Sequence, residues 1–434
     1  MAQQTWGAHP TEKGAGLAGL RAVATRTLLD ALVPAATGSL IQPGPNYRGM
    51  WARDGMLEAR ALLVLGMGDR AAELVDLYGS HQLRSTTPVQ TVVLRHKGHR
   101  GWSESMARPP KRSELRRYAG AFPTNIYDGR ARDELGRQLP LREIYGIVPD
   151  IDSAASWVRA AGEVASALGD PTMARRWVGP ARAALRWMRS RDGDGDHLLE
   201  QGRNEDWADC LMRDGIVAYT QAQWYAALRA AAQLERLAGH IDRATAFTRE
   251  ARQVRSAINR ALLRADHYVG WIGSDGIVHD EVVQDTADLV LAQIPPPAAE
   301  RALLDGFRHL DRAVGHGIVY PTYPPEATGP TPLSAGEYHN GGVWPWMTGL
   351  EAWAHYGSGE VAGGDRLLRR IHALSPAAIH EWHHGDTGVG HNPGFATGAA
   401  AIICALDARQ RYIESEPAAQ PRPSGSRPLR GTII

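Results

Sequence analysis

The sequence predicts an all-α fold, an (α/α)6 toroid of about twelve helices with long loops on one face. Apolar residues recur at the 3.6-residue period of a helix in about twelve stretches, and these stretches fall into consecutive pairs. Tight breaks at 66–69, 169–171 and 239–240 join the members of a pair, whereas much longer segments join successive pairs. This alternation is typical of a ring of helical hairpins, although no strict sequence repeat accompanies it.

Glycine, proline and capping residues indicate where the individual helices begin and end. The predicted helices cover approximately residues 14–32, 52–66, 69–83, 152–168, 171–190, 216–238, 240–265, 284–293, 297–311, 341–356, 360–374 and 394–413. The long segments cover 33–51, 84–151, 191–215, 266–283, 312–340 and 375–393, and they contain nearly all the unusual residues. We therefore expect the functional site to lie among these segments.

The longest of these segments contains an insertion near 86–149. Residues 89–94 are rich in β-branched side chains and predict a strand, and the rest of the insertion is predicted to be loop. We interpret the insertion as a lid over the site, a dimer contact or both. Residues 1–415 then form one domain, and residues 416–434, with four prolines and little apolar surface, predict a disordered tail.

The composition is that of an ordinary globular protein, with 43% hydrophobic and 22% charged residues. A net charge of +1 argues against nucleic acid or an acidic membrane surface as a partner. Thirteen tryptophans against four phenylalanines favour ligand stacking, and two cysteines are too few for a disulfide framework. Without a signal-like start or an apolar run of transmembrane length, we expect a cytoplasmic protein; the oligomeric state is not indicated.

The segment 337–346 combines aromatic, imidazole, amide and carboxylate side chains around a glycine pair. Its polar and aromatic members are Glu337, Tyr338, His339, Asn340, Trp344 and Trp346. Indole rings stack on the flat C–H faces of sugars, and the polar groups suit sugar hydroxyls. The segment therefore favours a carbohydrate site, the alternative being a helix entry whose tryptophans are simply buried.

Two predicted helix starts carry charged residues that suit the same ligand. Trp51, Arg53 and Asp54 open one helix after a loop that ends in Tyr47, and Asp152 opens another. An arginine and an aspartate at a helix start can bind vicinal hydroxyls, or they can form a local ion pair. Asp152 can likewise cap its helix, bind a ligand, or do both.

The segment 192–209 contains an aspartate-rich start and a carboxylate-rich end. The start resembles a calcium loop, but His197 and Arg203 occupy positions that need glycine and glutamate, so a turn is predicted. At the end, Glu205, Asp206 and Asp209 crowd around Trp207. Close carboxylates can keep one of their number protonated near neutral pH, as a general acid requires.

Residues 380–384 satisfy the zinc-protease pattern His-Glu-x-x-His. That pattern needs a continuous helix, whereas Pro376 precedes it and Gly385 follows it, so an extended loop is expected. Without zinc, Glu381 becomes a carboxylate on the same face as Asp209. Such a pair can act as acid and base in glycoside hydrolysis, and a separation of roughly 6.5–9.5 Å would imply inversion.

Together these motifs resemble the inverting (α/α)6-barrel glycosidases, especially the amylo-α-1,6-glucosidase domain of glycogen debranching enzymes and the neutral/alkaline invertases. The resemblance covers roughly residues 46–410. It rests on the motifs Trp51-x-Arg53-Asp54, Trp207-x-Asp209, Gln221-x-Gln223-Trp224-Tyr225, Tyr338-His339-Asn340-Gly341-Gly342-Val343-Trp344-Pro345 and Glu381-Trp382. The debranching-type N-terminal β-sandwich is absent, and the extra acids and histidines near Asp209 and Glu381 depart from the family pattern.

The resemblance implies an exo-acting hydrolase that cleaves a small α-glucoside or oligosaccharide with inversion. It implies Asp209 as general acid and Glu381 as general base, with Asp206 and Glu337 as reserve candidates. The expected substrate-binding residues are Tyr47, Trp51, Arg53, Asp54, Asp152, Trp207, Gln223, Tyr338, His339, Asn340 and Trp344. No cofactor or metal is expected. The alternatives are a sugar phosphorylase or epimerase using histidines such as His339 and His391, a zinc hydrolase, and a non-catalytic sugar-binding protein.

Overall fold

A computed structural model describes residues 10–35, 38–98, 101–132, 136–146, 148–203, 205–328 and 333–415. The predicted tail at 416–434 lies outside these residues. No helix in the described ranges is long and apolar enough to cross a membrane.

The described residues form thirteen α-helices, which include the twelve expected ones. In chain order, α1 to α13 are Pro10–Asp30, Ala52–Val64, Gly68–Gly79, Arg112–Arg117, Ile151–Leu168, Pro171–Arg189, Ala218–Leu237, Ile241–Ala261, Ala287–Leu291, Pro297–Gly306, Pro345–Gly357, Val361–Leu374 and Ala396–Ser415. The short α4 was not predicted. The predicted helix at 284–293 is instead a 3-10 turn, Gln284–Thr286, followed by α9.

Six helices form a closed inner ring, which confirms the predicted toroid. Around the ring, α2 packs against α5, α5 against α7, α7 against α9, α9 against α11, α11 against α13, and α13 against α2. Helices α1, α3, α6, α8 and α12 pack on the outside of this ring. Short turns lead from each inner helix to the next outer one, so the long segments all precede inner helices.

Burial separates the inner helices from the outer ones. In α7, sixteen of twenty residues are buried, whereas in α8 only five of twenty-one are. The inner helices α5, α7 and α13 are rich in alanine, which allows their backbones to approach closely. The break between α5 and α6 shows how a hairpin turns: Gly169 is left-handed with φ of 60°, and the Asp170 carboxylate accepts the amide N–H groups of Thr172 and Met173.

The long segments contain fifteen short strands in the described part of the chain. In chain order, β1 to β15 are Leu32–Ala35, Gly38–Ile41, Met50–Trp51, Gln90–Gly98, Gly101–Arg108, Asn125–Ile126, Arg142–Tyr145, Glu200–Gln201, Gly215–Val217, Trp271–Ile272, Val278–His279, Val282–Val283, Val319–Tyr320, His380–His383 and Gly390–Pro393.

The 86–149 insertion is more ordered than the sequence predicts. The expected strand at 89–94 is β4, but the remainder is not all loop, because β5, β6, β7 and α4 also form there. The strands join in the order β3-β6-β7-β4-β5, with β4 and β7 parallel. Since β3 contains Trp51, this sheet ties the insertion to the start of α2.

Candidate active site

One cavity of about 400 Å³ lies among the long segments. It is lined by Pro43, Asn46, Tyr47, Arg48, Trp51, Arg53, Asp54, Tyr127, Leu139, Tyr145, Trp207, Asp209, Tyr338, Trp344, Trp346, Glu381 and Phe395. These residues come from five of the six segments that precede inner helices and from the first turns of α2 and α11. A second cavity, of about 410 Å³, lies against the outer helices α6 and α8 and contains none of the predicted site residues.

Asp209 enters the cavity from the segment before α7, with its side chain 30% exposed. The loop that carries it is fixed by Trp207, whose indole N–H donates to Asp285 over 3.0 Å. Arg213 joins Asp285 to Asp206 with two bonds of 2.8 Å, all three side chains being buried. Burial raises the pKa of Asp285, and Arg213 opposes this rise. Asp206 therefore supports the loop from outside the cavity.

Glu381 enters from β14, on the hairpin before α13, and is buried. The Tyr47 hydroxyl donates to its Oε1 over 2.6 Å, and the Asn392 amide donates to its Oε2. The Asn46 side-chain amide in turn donates to Asn392 Oδ1 over 2.8 Å. Burial and the Glu381 charge raise the pKa of Tyr47 well above its usual value, so Tyr47 stays a hydrogen-bond donor.

The local ion pair expected at the start of α2 is formed, and ligand binding by the same residues stays a prediction. Arg53 donates to Asp152 over 3.0 Å and to Asp54 over 3.3 Å, while Arg53 and Asp54 also line the cavity. The Thr397 hydroxyl donates to the other Asp54 oxygen over 2.7 Å. Asp152 is fully buried and makes no helix-capping bond; burial raises its pKa to about 6, against the opposing effect of Arg53. It orients Arg53 from behind the cavity wall.

The segment 337–346 forms a folded aromatic wall. Gly341 has φ of 96°, and a Cβ on Gly342 would lie 2.5 Å from the Tyr338 backbone carbonyl oxygen, so the turn needs this glycine pair. Tyr338 packs edge-on against Trp344 at 4.7 Å between ring centroids. His339 is completely buried and stacks on Trp344 at 5.1 Å, with the edge of Trp207 at 4.8 Å.

Besides Asp152 and Asp206, four further expected residues do not line the cavity. Asn340 accepts the Tyr323 amide N–H over 2.7 Å and so stabilises its own loop. Glu337 accepts the Ser334 amide N–H over 2.8 Å at the same turn. Gln223 faces the ring interior and donates to Asp288, and His339 lies behind Trp344. These residues were predicted to be in the site because they are polar, but their hydrogen bonds stabilise loops or contacts between ring helices.

Several lining residues were not predicted. Tyr127, Leu139 and Tyr145 come from the insertion, and Tyr145 contacts Trp51 with ring centroids 4.7 Å apart. Asn392 stands opposite Glu381 in the β14–β15 hairpin and adopts a left-handed φ of 48°, which asparagine tolerates better than most residues. The glycine-containing turn at 385–388 could have predicted from the sequence that the two flanking strands pair.

The two metal-like sequence patterns have other structures. His380–His383 form a strand, so the helical His-Glu-x-x-His arrangement is not made. His383 instead bonds the Ser375 hydroxyl at 2.9 Å and the Gly388 carbonyl at 3.1 Å. Residues 192–197 form the predicted turn, in which aspartate oxygens accept backbone N–H groups.

Comparison with solved structures places this fold beside known enzymes. A GH63 mannosylglycerate hydrolase from Thermus thermophilus, in complex with glucose, superposes with a TM-score of 0.65 at 16% identity, covering 88% of this chain and 99% of that one. A glycosidase with a glutamate-to-alanine substitution, also with glucose, gives 0.62 at 16%, covering 93% and 99%. A rhamnosidase from Klebsiella oxytoca with rhamnose bound gives 0.57 at 14%, covering 90% and 63%.

The chain shares the fold of these glycosidases. No family model matches the sequence, and no curated protein matches it either. The expected resemblance to debranching enzymes and invertases is not shown, because the neighbours named above are other sugar-cleaving enzymes.

Proposed function

We propose that the protein is an exo-acting glycoside hydrolase that cleaves a small α-glucoside or oligosaccharide with inversion. One observation carries the proposal: Asp209 and Glu381 line a single cavity together with the indoles of Trp51, Trp207, Trp344 and Trp346. A cavity near 400 Å³ has the size of a small-molecule site. Two carboxylates beside stacking rings are the groups that glycoside hydrolysis requires.

In the proposed reaction Asp209 protonates the leaving oxygen and Glu381 takes a proton from the attacking water. Tyr47 and Asn392 both donate to Glu381 and hold it in one orientation. Arg53 and Asp54 offer a donor and an acceptor to neighbouring hydroxyls of the sugar. Water then adds to the face opposite the departing group, so an α-glycoside gives a β-sugar.

Arg48 indicates the chemical nature of the aglycone, the part of the substrate that leaves. Its exposed side chain lines the cavity and donates to the Arg132 carbonyl; within the described ranges it pairs with no carboxylate. A guanidinium in this position suits an acidic aglycone, and one structural neighbour is a mannosylglycerate hydrolase. Glycosides of small hydroxy acids therefore belong in the substrate panel beside glucosides and disaccharides.

The test is an anomer-resolved proton NMR assay over this panel. Wild type should release the inverted sugar, and Asp209→Asn and Glu381→Gln should each lower the rate by roughly 10²–10⁴-fold. Glu337→Gln is the matched control, because Glu337 lies outside the cavity, and it should retain most of the activity.

The same assay separates the alternatives. Turnover that requires phosphate would identify a phosphorylase, and epimerised monosaccharide without bond cleavage would identify an epimerase. Wild-type turnover in Glu381→Gln, or its loss in Glu337→Gln alone, would remove the base assignment. Ligand binding without turnover on any glycoside would favour a sugar-binding protein.

A further inference from the structure

Asp209 has two neighbours that the proposed hydrolysis does not use. The Cys210 sulfur lies 3.5 Å from Asp209 Oδ1, and His339 Nδ1 lies 3.8 Å from the same oxygen. Cys210 and His339 are buried, whereas Asp209 reaches the cavity. One ligand atom from each of the three residues lies within 4.8 Å of the others.

The two separations from Asp209 Oδ1, 3.5 and 3.8 Å, match those between ligands of a common metal ion. Donor atoms at about 2.0–2.3 Å from a tetrahedral zinc ion lie roughly 3.3–3.8 Å apart. The His339 Nδ1 atom carries a lone pair, since it accepts the Cys210 amide N–H over 3.4 Å, and a bound cation would replace this long hydrogen bond. The imidazole ring is held between Trp207 and Trp344, so little reorganisation is needed.

We propose that Asp209, Cys210 and His339 form an inhibitory site for a thiophilic divalent cation such as Zn²⁺ or Cd²⁺. Thiolate, imidazole and carboxylate are the donors that zinc prefers, and the cavity supplies both an entry path and a water ligand. A cation bound to the Asp209 carboxylate would prevent that group from carrying the proton for the leaving oxygen. The inhibition rests on the proposed role of Asp209, whereas the binding does not.

Binding is tested first, with Cd²⁺ alone as the probe and tag-free full-length protein. Wild type should show the ultraviolet thiolate-to-cadmium charge-transfer band, saturating at one equivalent. The band should disappear in Cys210→Ser and persist in Cys404→Ser, because Cys404 is the other cysteine and is buried in α13. No band in wild type, or an undiminished band in Cys210→Ser, would overturn the site.

Inhibition is then measured with Zn²⁺, and each variant is referred to its own metal-free rate because Cys210 touches Asp209. Half-inhibition of wild type and Cys404→Ser should need similar zinc, and Cys210→Ser should need more than about tenfold more. Unchanged inhibition in Cys210→Ser, with loss in His391→Gln, would move the cation to the β14–β15 hairpin and refute the proposal. If wild type cleaves no glycoside, the proposed function fails, and the cadmium titration alone decides the site.

Discussion

Glu381 receives hydrogen bonds from two donors that belong to different parts of the chain. Tyr47 reaches it from the loop before α2, and Asn392 reaches it from the opposite strand of its own hairpin. Both bonds favour the ionised carboxylate, which is the form that a general base needs. The two donors also fix the direction in which Glu381 faces the cavity.

The substitution Tyr47→Phe tests this role. Removing a hydrogen bond to a charged group costs about 1.5–3 kcal/mol, so kcat/KM should fall roughly 10- to 100-fold. The acidic limb of the rate–pH profile should move to higher pH, because a carboxylate that loses a donor holds its proton more tightly. A lower rate with no shift in the acidic limb of the rate–pH profile would show that Tyr47 contributes only by packing.

His383 gives the hairpin a predictable acid sensitivity. Burial lowers the pKa of His383 to about 4, and the side chain is fully covered. An unfolded histidine has a pKa near 6.5, so between these values the unfolded state binds more protons. The stabilising contribution is thus complete above pH 6.5 and is lost as the pH falls toward 4, by on the order of 3 kcal/mol.

The measurement is the Tm of wild type and His383→Gln between pH 7 and pH 4. The variant should begin less stable and should lose less Tm over this range. Other groups that titrate in the same range are common to both proteins and cancel in the difference. Parallel curves would show that His383 does not contribute to the acid sensitivity.

Local motifs predicted the site residues that lie close together in the sequence. The site residues that were not predicted acquire their roles only through pairing between distant segments. Trp51, Arg53 and Asp54 share one helix start, so their common direction follows from the local sequence. Asn392 acquires its role only when β14 and β15 pair and set it opposite Glu381. Gln223 was assigned by motif, but the helix face on which it lies points to Asp288 instead.

At the scale of elements, close approach of α5 and α7 depends on one glycine. A Cβ at Gly162 would lie 2.6 Å from the Ala230 carbonyl oxygen, which is backbone and cannot rotate away. Gly162→Ala should therefore destabilise the protein by about 1–3 kcal/mol, as overpacking typically does. Denaturant titration measures this change directly.

Gly179 in α6 is the matched helical control. Apart from the backbone of its own helix and its two chain neighbours, one of which is Pro180, no atom lies within 4 Å of the position that its Cβ would occupy. Gly179→Ala should change stability by less than about 1 kcal/mol, because the smaller entropy loss of alanine in a helix is opposed by Pro180, which disfavours the helical conformation of the residue before it. Equal effects of the two substitutions would show that the α5–α7 contact is looser than described.

Helices were easier to predict than the sheet of the insertion. A helix of eighteen residues such as α5 carries its own periodicity, and its hydrogen bonds are local. Strands β3 and β6 have two residues each and pair across more than seventy positions of sequence. No periodic pattern can show in two residues, so that region of the sequence was interpreted as loop.

For the whole molecule, the predicted toroid follows from alternation rather than from repetition. Each inner helix before α13 is followed by a short turn, and each outer helix by a long segment, which places all the long segments on one face. This reasoning assigns the site to a face of the ring. It cannot say which segments meet there, because segment 266–283 supplies no cavity residue while its neighbours do.

The two ends of the described chain meet, since α13 packs against α2 in the inner ring and α1 packs against both α12 and α13. Every inner helix therefore has an inner helix on each side, and no helical hairpin occupies a terminal position in the ring. Each cavity-lining segment connects one outer helix to the next inner helix, so an insertion in one segment does not displace the other segments. The scaffold can therefore be inherited unchanged while its loops diverge, which explains how similar rings can serve different sugars at low sequence identity.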